Sequence, residues 1–361
     1  MPKQSLKQMV HICIVLTFAL CLGVQASPAR ALEPTTIVVN STGDEPDFAN
    51  NSVCETAAGN GVCTLRAAIQ HANYLQSING TLITFDIDHS PSYAPTIIDV
   101  GSALPGLMID GTTIQGPNLH DDSVLVLDGM GGSYAGLEIR ADNCAIKKLT
   151  IANFGGYGIS VRPTTGEFVT GALITGNKIG NMIPLGIIDK PNGGGIKLQD
   201  TGSSVIGGDT AADRNVIAGN TGNGIYILDS ATNLVKGNYI GVKADGVTAL
   251  PNSTGVYVSN STGNTIGGNT AGSRNVISGN TSNGVYVVGN ENVVMGNYIG
   301  TDISGTVAIP NGNIGVRIGN GGAAVSSGNI IGGSAAGQGN LISGNGSYGI
   351  QAVVSDLTTI Q

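Results

Sequence analysis

The chain repeats itself, and this limits its fold more than any other feature. Arg214-Asn-Val-Ile-Ala-Gly-Asn220 returns 60 positions later as Arg274-Asn-Val-Ile-Ser-Gly-Asn280, and more loosely as Gly339-Asn-Leu-Ile-Ser-Gly-Asn345. A second motif runs out of phase with the first: Gly176-Asn-Lys-Ile-Gly180, Gly237-Asn-Tyr-Ile-Gly241 and Gly296-Asn-Tyr-Ile-Gly300. Self-similarity at a fixed period describes units stacked on their neighbours, not a closed globule.

The repeat resolves into single turns. Gly, a β-branched residue, a variable residue and another apolar one recur as Gly195-Ile-Lys-Leu198, Gly224-Ile-Tyr-Ile227, Gly255-Val-Tyr-Val258, Gly284-Val-Tyr-Val287 and Gly315-Val-Arg-Ile318. Weaker copies are Gly136-Leu-Glu-Ile139, Gly158-Ile-Ser-Val161 and Gly349-Ile-Gln-Ala352. Alternation of apolar and variable residues is the strand period, so Ile225 and Ile227 point inward and Tyr226 outward. From Lys197 onward the strands recur every 29 to 34 residues, so two coils fill each long repeat. The connecting stretches, of the types Gly300 to Asn311 and Ile266 to Asn275, carry Pro and Gly and are expected to protrude as loops.

Coils of this length with Asn at their corners predict an all-β solenoid, a parallel β-helix stacking at about 4.8 Å per coil. Asn tolerates the left-handed backbone of a sharp corner, and stacked amides can hydrogen-bond from coil to coil. Two such corners are predicted, one at Asn220, Asn280 and Asn345 and one at Asn177, Asn238 and Asn297. Scarce Leu and the wrong period exclude a leucine-rich repeat, and the absence of Trp speaks against a propeller. With 57 Gly but no strict Gly-x-x period the chain is not collagen, and 41% hydrophobic residues are too many for a disordered one. A net charge of −8 argues against nucleic acid as a partner.

Residues 1–31 read as a secretory signal. Lys3 and Lys7 precede an apolar run from Met9 to Val24, with Ala29-Arg-Ala31 after it. An uncleaved anchor is the weaker alternative, and nothing later in the sequence could span a bilayer. A secreted, extracellular or cell-surface location follows. Cys54, Cys63 and Cys144 remain once the signal is removed. Cys54 and Cys63 are expected to close a short loop as a disulfide, since His71 alone gives a rival metal site no ligand set. Cys144 reads as a buried thiol.

Residues 32–80 supply a cover for the open N-terminal end of the stack. The strand Thr36 to Asn40 and the cysteine loop precede Thr64-Leu-Arg-Ala-Ala-Ile-Gln-His-Ala-Asn73, where Leu65, Ala68, Ile69 and Ala72 share one helical face and Asn73 marks the stop. The solenoid is assigned to residues 81–361. The sequence closes on Thr358-Thr-Ile-Gln361 within a coil, so further domains or a capping partner are expected beyond it.

Cys63-Thr-Leu-Arg-Ala-Ala-Ile69, with Cys54 and the strand from Ile37 to Asn40 before it, resembles the N-terminal CSLREA domain of bacterial surface proteins. Thr81-Leu-Ile-Thr-Phe85 and Leu107 to Pro117 are similar to the segments that follow in that family, and the coils are similar to the right-handed β-helices of the pectate-lyase-like superfold, which implies a right-handed parallel β-helix. The resemblance implies secretion and surface exposure. Thr64 stands where the family has Ser, and Ala67 where it has Glu. Any ion pair between that Glu and Arg66 is therefore absent, and a slightly weaker cap is expected. The superfold also hosts polysaccharide lyases, glycoside hydrolases and epimerases, and fold alone awards none of these activities.

No catalytic set is assembled by the sequence, and no cofactor or metal is expected. His120-Asp-Asp122 and Asp86-Ile-Asp-His89 lack the companions that glycosidase chemistry on this fold uses. Glu138, Arg140, Asp142, Lys147, Lys148 and Arg162 form the densest charged region and read first as solvated surface. Asp245 and Asp302 lie in matching loops without aligning, which speaks against a repeated calcium site. The outward strand position is the most suggestive feature: Glu138, Ser160, Lys197, Tyr226, Tyr257, Tyr286, Arg317, Gln351. Tyr226, Tyr257 and Tyr286 flanked by Lys197 and Arg317 could hold sugar rings along a polymer, while simple packing of outward aromatics on a β face is the competing and blander reading. The expected function is a secreted structural or adhesive module contacting polysaccharide, with a polysaccharide lyase, hydrolase or epimerase as the alternative and a passive spacer as a third.

Overall fold

A computed structural model describes residues 33–49, 51–87, 95–117, 125–181, 190–319, 326–353 and 355–361, and from Pro34 onward they form one compact unit. The signal at residues 1–31, His120-Asp-Asp122 and His89 lie outside the described residues.

The strands build three long sheets among the described residues, of 11, 9 and 8 members, and every strand–strand pairing is parallel. Each coil gives one strand to each sheet. Leu234–Lys236 enters the first, Tyr239–Ile240 the second and Val256–Thr262 the third. This is the right-handed parallel β-helix that the coil repeat and the resemblance together predict. Strand alternation sets its core: Ile206, Val235, Ile266 and Val294 point inward from the first sheet, Ile217, Ile240, Ile277 and Ile299 from the second, and Ile225, Val256 and Val285 from the third, all fully buried. Each such side chain stabilises the fold by about 1.5–3 kcal/mol relative to exposure.

The corners carry three asparagine ladders. One runs Asn177, Asn215, Asn238, Asn275, Asn297, Asn340, and a second Asn192, Asn220, Asn252, Asn280, Asn311, Asn345. The sequence motifs marked alternate rungs of these two, because the intervening Asn residues sit in the other loop type. A third ladder, Asn233, Asn264, Asn292, Asn329, was not anticipated. Its signature is legible afterwards as Asn two residues before an inward apolar residue: Val235, Ile266, Val294 and Ile331. Packing around the amides restricts their neighbours. Gly241 has φ +87, and a Cβ there would run into the Ser278 carbonyl and the Asn280 amide.

The predicted protruding loops behave differently from expectation. The segments after Ile240 and Ile299 close as tight antiparallel ribbons, through Val242 with Ala249 and Thr301 with Ala308. They fold back on the second sheet, where Val242 and Ile309 are buried with Val216, Tyr239 and Val276. Apolar residues inside a Pro- and Gly-rich stretch decide this, since leaving them exposed would forfeit their burial.

At the N-terminal end, strand Thr35–Val39 pairs with Thr81–Phe85, and helix Leu65–Leu75 packs against both. Thr64 caps the helix, its hydroxyl accepting from Ala67 N at 3.1 Å. The helix runs past Asn73 and ends at Gln76 in the left-handed conformation. Asn73 instead clamps the first coil, its amide donating to Gly106 O at 2.8 Å and accepting from Met108 N at 2.9 Å. The expected disulfide Cys54–Cys63 is present, and Cys144 is free and buried. Arg66, without the family's Glu as a partner, pairs with Asp44 through Nε and Nη2 at 3.0 and 2.9 Å and also donates to the Ala103 and Ser102 carbonyls, each at 2.8 Å.

Candidate functional site

The third sheet places the outward residues in one continuous column. Parallel pairing aligns Glu138 with Ser160, Ser160 with Lys197, Lys197 with Tyr226, and then Tyr257, Tyr286, Arg317 and Gln351 in turn. Because neighbouring coils share one register, every residue at this position meets its counterpart one coil away.

The three tyrosines stack. Ring centroids of Tyr226 and Tyr257 are 5.1 Å apart with planes 6° from parallel, and those of Tyr257 and Tyr286 are 4.9 Å apart at 15°. Cations close both ends: Lys197 Nζ lies 5.8 Å from the Tyr226 centroid and Arg317 Cζ 4.9 Å from that of Tyr286. The ring faces are thus engaged by one another and by the flanking cations. Ring edges and the row of hydroxyls are what this column offers a ligand, which differs from the open faces that sugar stacking would use. Burial pushes the Tyr226 and Tyr286 hydroxyls above their ordinary pKa, with Ser259 hydrogen-bonded to Tyr226 and Arg317 beside Tyr286 opposing it. Lys197 is pushed below the usual lysine value, first by burial and then by the Arg162 charge, against which Asp200 and Asp229 act. Arg317 Nε is buried without a hydrogen-bond partner among the described residues.

The column begins in a cavity of about 610 Å³ between the cap and the first coils. Its charged floor is Glu138 held between two arginines. Arg140 donates Nε and Nη2 to one carboxylate oxygen at 2.9 and 2.6 Å, and Arg162 donates Nη2 to the other at 3.0 Å. Asn73, Gly106 and Tyr134 belong to its walls.

The remaining charged candidates separate. Asp142 sits in a turn and accepts from Thr170 N at 2.7 Å, while Lys147 lies in the first sheet and points from a different face than Glu138. Asp245 and Asp302 each tie their own loop, accepting from Val247 and Thr248 N and from Thr306 and Val307 N respectively. Among the described residues no three His, Cys, Asp or Glu side chains gather as a metal site. Two cap features escaped sequence reasoning, the Arg66–Asp44 pair and buried Asp47 facing His71 at 3.5 Å. Both link residues 20 or more positions apart through the cap's tertiary packing, and no local pattern announces them.

No family model matches the chain, and no curated protein sequence matches it. Several solved structures are similar to it. A periplasmic alginate epimerase, AlgG, is similar with a TM-score of 0.45 and 16% identity over 78% of this chain, which spans 60% of that epimerase's length. The Dettilon tailspike protein gp208 is similar with a TM-score of 0.44 and 16% identity over 84% of this chain and 67% of that one. An alginate lyase from a Paenibacillus strain follows at 0.33 and 14% identity, over 70% of this chain and 92% of the lyase. At these identities the likeness concerns the fold. The class defined by the chain's own three parallel sheets is the parallel β-helix.

Proposed function

We propose that this chain is a secreted or surface-exposed β-helix that binds an acidic polysaccharide along the outward column of its third sheet, its residues 32–80 acting as a CSLREA-type cap. One observation carries the reading. In a chain of net charge −8, Lys197 and Arg317 flank a row of tyrosine hydroxyls on one sheet, and Arg140 and Arg162, just past the strands nearer the cap, hold Glu138 on the same face. Asp200 and Asp229 stand beyond the strand ends in the following turns. The coil-to-coil spacing of about 5 Å is close to the rise of one sugar residue in an extended polymer, so the tyrosine hydroxyls can meet successive residues of the ligand while Lys197 and Arg317, four coils apart, meet its carboxylates.

Binding of an extended polyuronate and of a neutral glucan, compared at low and high salt, tests the reading. The polyuronate is expected to bind and to weaken as salt screens the contacts. The double variant Lys197→Gln/Arg317→Gln should lose at least tenfold in affinity with an unchanged circular dichroism spectrum. Equal binding of both polymers, or full binding by the double variant, refutes it. The same incubation followed by sizing of the polymer separates binding from cleavage.

A further inference from the structure

The two sequence motifs that define the repeat meet at one edge of the stack, and this edge carries charges that the tyrosine column does not use. Where each coil turns from the first sheet into the second, five successive coils place a cation. Lys147 ends a strand of the first sheet and Lys148 follows it, and Lys178 opens a strand of the second one coil on. Arg214 stands in the next connection, Lys236 ends a strand of the first sheet, and Arg274 stands in the connection after that. Coils stack at about 4.8 Å, so the run from Lys148 to Arg274 covers about 19 Å. Two carboxylates share the edge. Asp209 takes Lys236 Nζ at 2.5 Å, and Asp213 accepts from Thr210 Oγ1 at 2.6 Å. The balance is positive in a chain of net charge −8.

The asparagine ladder fixes the register of these cations. Leu149 N, Asn177 N, Asn215 N and Asn238 N each donate to the Oδ1 of the next rung, so Lys148, Gly176, Arg214, Gly237 and Arg274, one residue earlier, occupy one line. Cations alternate with glycine along it for a steric reason, because a Cβ on Gly237 would run into the Gly208 carbonyl. Arginine crosses the bare backbone that results. Arg214 Nε donates to Gly237 O at 3.3 Å, and its Cζ lies 4.2 Å from the centroid of the Tyr239 ring one coil on. Arg274 repeats the contact over Tyr298 at 4.1 Å. The Arg of one motif therefore lies on the Tyr of the other, and stacking holds the two guanidinium groups two coils apart. The first copy of the Gly-Asn-Tyr-Ile-Gly motif has Lys178 in the Tyr position, and Lys178 and Lys148 are exposed.

A cation on every coil suits a ligand with one negative charge per repeat of similar length. A polyuronate carries one carboxylate per sugar, whereas a nucleic-acid duplex, with a phosphate about every 3.4 Å along each strand, does not share the spacing. We propose that this edge is a second track for an acidic polysaccharide, separate from the tyrosine column. Arg214 and Arg274 take carboxylates two sugars apart, and Lys148, Lys178 and Lys236 take those before and between. The class of ligand rests on the acidic-polysaccharide reading, and the two tracks are tested separately. Limited acetylation of the full chain with and without polyuronate, read by mass spectrometry, reports Lys148 and Lys178 for the edge and Lys197 for the column. Lys243, exposed on the ribbon over the second sheet, is the control. The polymer should slow modification of Lys148 and Lys178 at least threefold, leave Lys243 unchanged, and lose this effect at high salt. In the Lys197→Gln/Arg317→Gln chain the edge should remain protected, and adding Lys148→Gln/Lys178→Gln should lower the residual affinity at least tenfold with an unchanged circular dichroism spectrum. Protection of Lys197 without Lys148 and Lys178 overturns the edge and leaves the column, the reverse refutes the column and leaves the edge, and protection of none refutes both. Equal protection of the edge by a DNA duplex or by a neutral glucan overturns the polyuronate assignment.

Discussion

The asparagine ladders hold the corners of the stack, and Asn238→Ala measures what one rung contributes. Asn238 is fully buried. Its Oδ1 accepts from Asn215 N at 3.3 Å and Asn215 Nδ2 at 2.9 Å, and its Nδ2 donates to Ile206 O, Lys236 O and Asn275 Oδ1 at 2.9, 2.9 and 3.1 Å. Truncation to Ala orphans two donors on Asn215 in a site closed to solvent. Each orphaned buried group costs about 1–3 kcal/mol, so a loss of about 4 kcal/mol is expected. Asn269→Ala, at an exposed position, serves as control and should change stability by less than about 0.5 kcal/mol. Asn238→Asp keeps the shape but turns an acceptor toward Ile206 O and Asn275 Oδ1. That environment disfavours the charged form, so the folded pKa of the new carboxyl lies above its unfolded value and the destabilisation grows as pH rises from about 4. Acidification should therefore bring Asn238→Asp closer to the parent protein. Urea unfolding followed by circular dichroism reads all three variants. A loss below about 1 kcal/mol for Asn238→Ala, or an Asp variant indifferent to pH, would refute the account of the ladders as buried and fully paired.

Two other perturbations follow from the same geometry, and a third separates two roles of the tyrosines. Burial pushes the Cys144 thiol from 9.0 up to about 12, so the folded state favours the protonated form; that contribution is complete below pH 9.0 and disappears as pH climbs toward about 12. The urea midpoint of the parent should fall more steeply across that alkaline window than that of Cys144→Ala, and identical slopes would count against the buried thiol. Arg66→Met leaves Asp44 without its bidentate partner and should destabilise the cap by about 3 kcal/mol, with part of the loss recovered in Arg66→Met/Asp44→Asn, as melting of the double variant against the single would show. Tyr257→Phe preserves the ring stack and removes one hydroxyl; if the hydroxyl row contacts ligand, polyuronate affinity should fall several-fold without a change in melting temperature, and unchanged affinity would assign the row a purely structural part.

Much of the solenoid was legible because stacking converts sequence period directly into spatial neighbourhood. The outward column from Glu138 to Gln351 required only that each Gly-led strand pair with the next, and the observed registers are those pairings. The helix face of Leu65, Ala68, Ile69 and Ala72 followed from its spacing in the same way. Where a side chain's partner comes from outside the period, the sequence was mute. Asn73 reads as a stop signal, yet its amide is drawn to Gly106 and Met108, so the helix continues to Leu75. Arg66 finds Asp44 across the cap, which compensates for the Ala at position 67. The charged group around Glu138 was visible as composition, but which of its members share a face depends on the sheet each strand joins. Glu138 lies in the third, with Arg140 and Arg162 one residue past its strands, and Lys147 lies in the first.

The three faces of the stack also differ in what they leave for a partner. On the second sheet the outward residues Val216, Tyr239 and Val276 are already buried beneath the returning loops, with Arg214 and Arg274 lying 4.2 and 4.1 Å over the rings of Tyr239 and Tyr298. On the first sheet one outward row, Leu173, Val205, Leu234, Thr265 and Val293, is uncharged and half-buried, and the other carries Lys147 and Lys236, the latter paired with Asp209. Among the described residues, the third sheet is the face that combines a column of tyrosine hydroxyls with a cation at each end of it. Its tyrosine stack spends the ring faces on internal packing, and this fixes the hydroxyls and flanking charges in a line. Such preorganisation lowers the ordering cost of binding a repetitive ligand, and it does so on the face where the repeat of the chain can be read from outside.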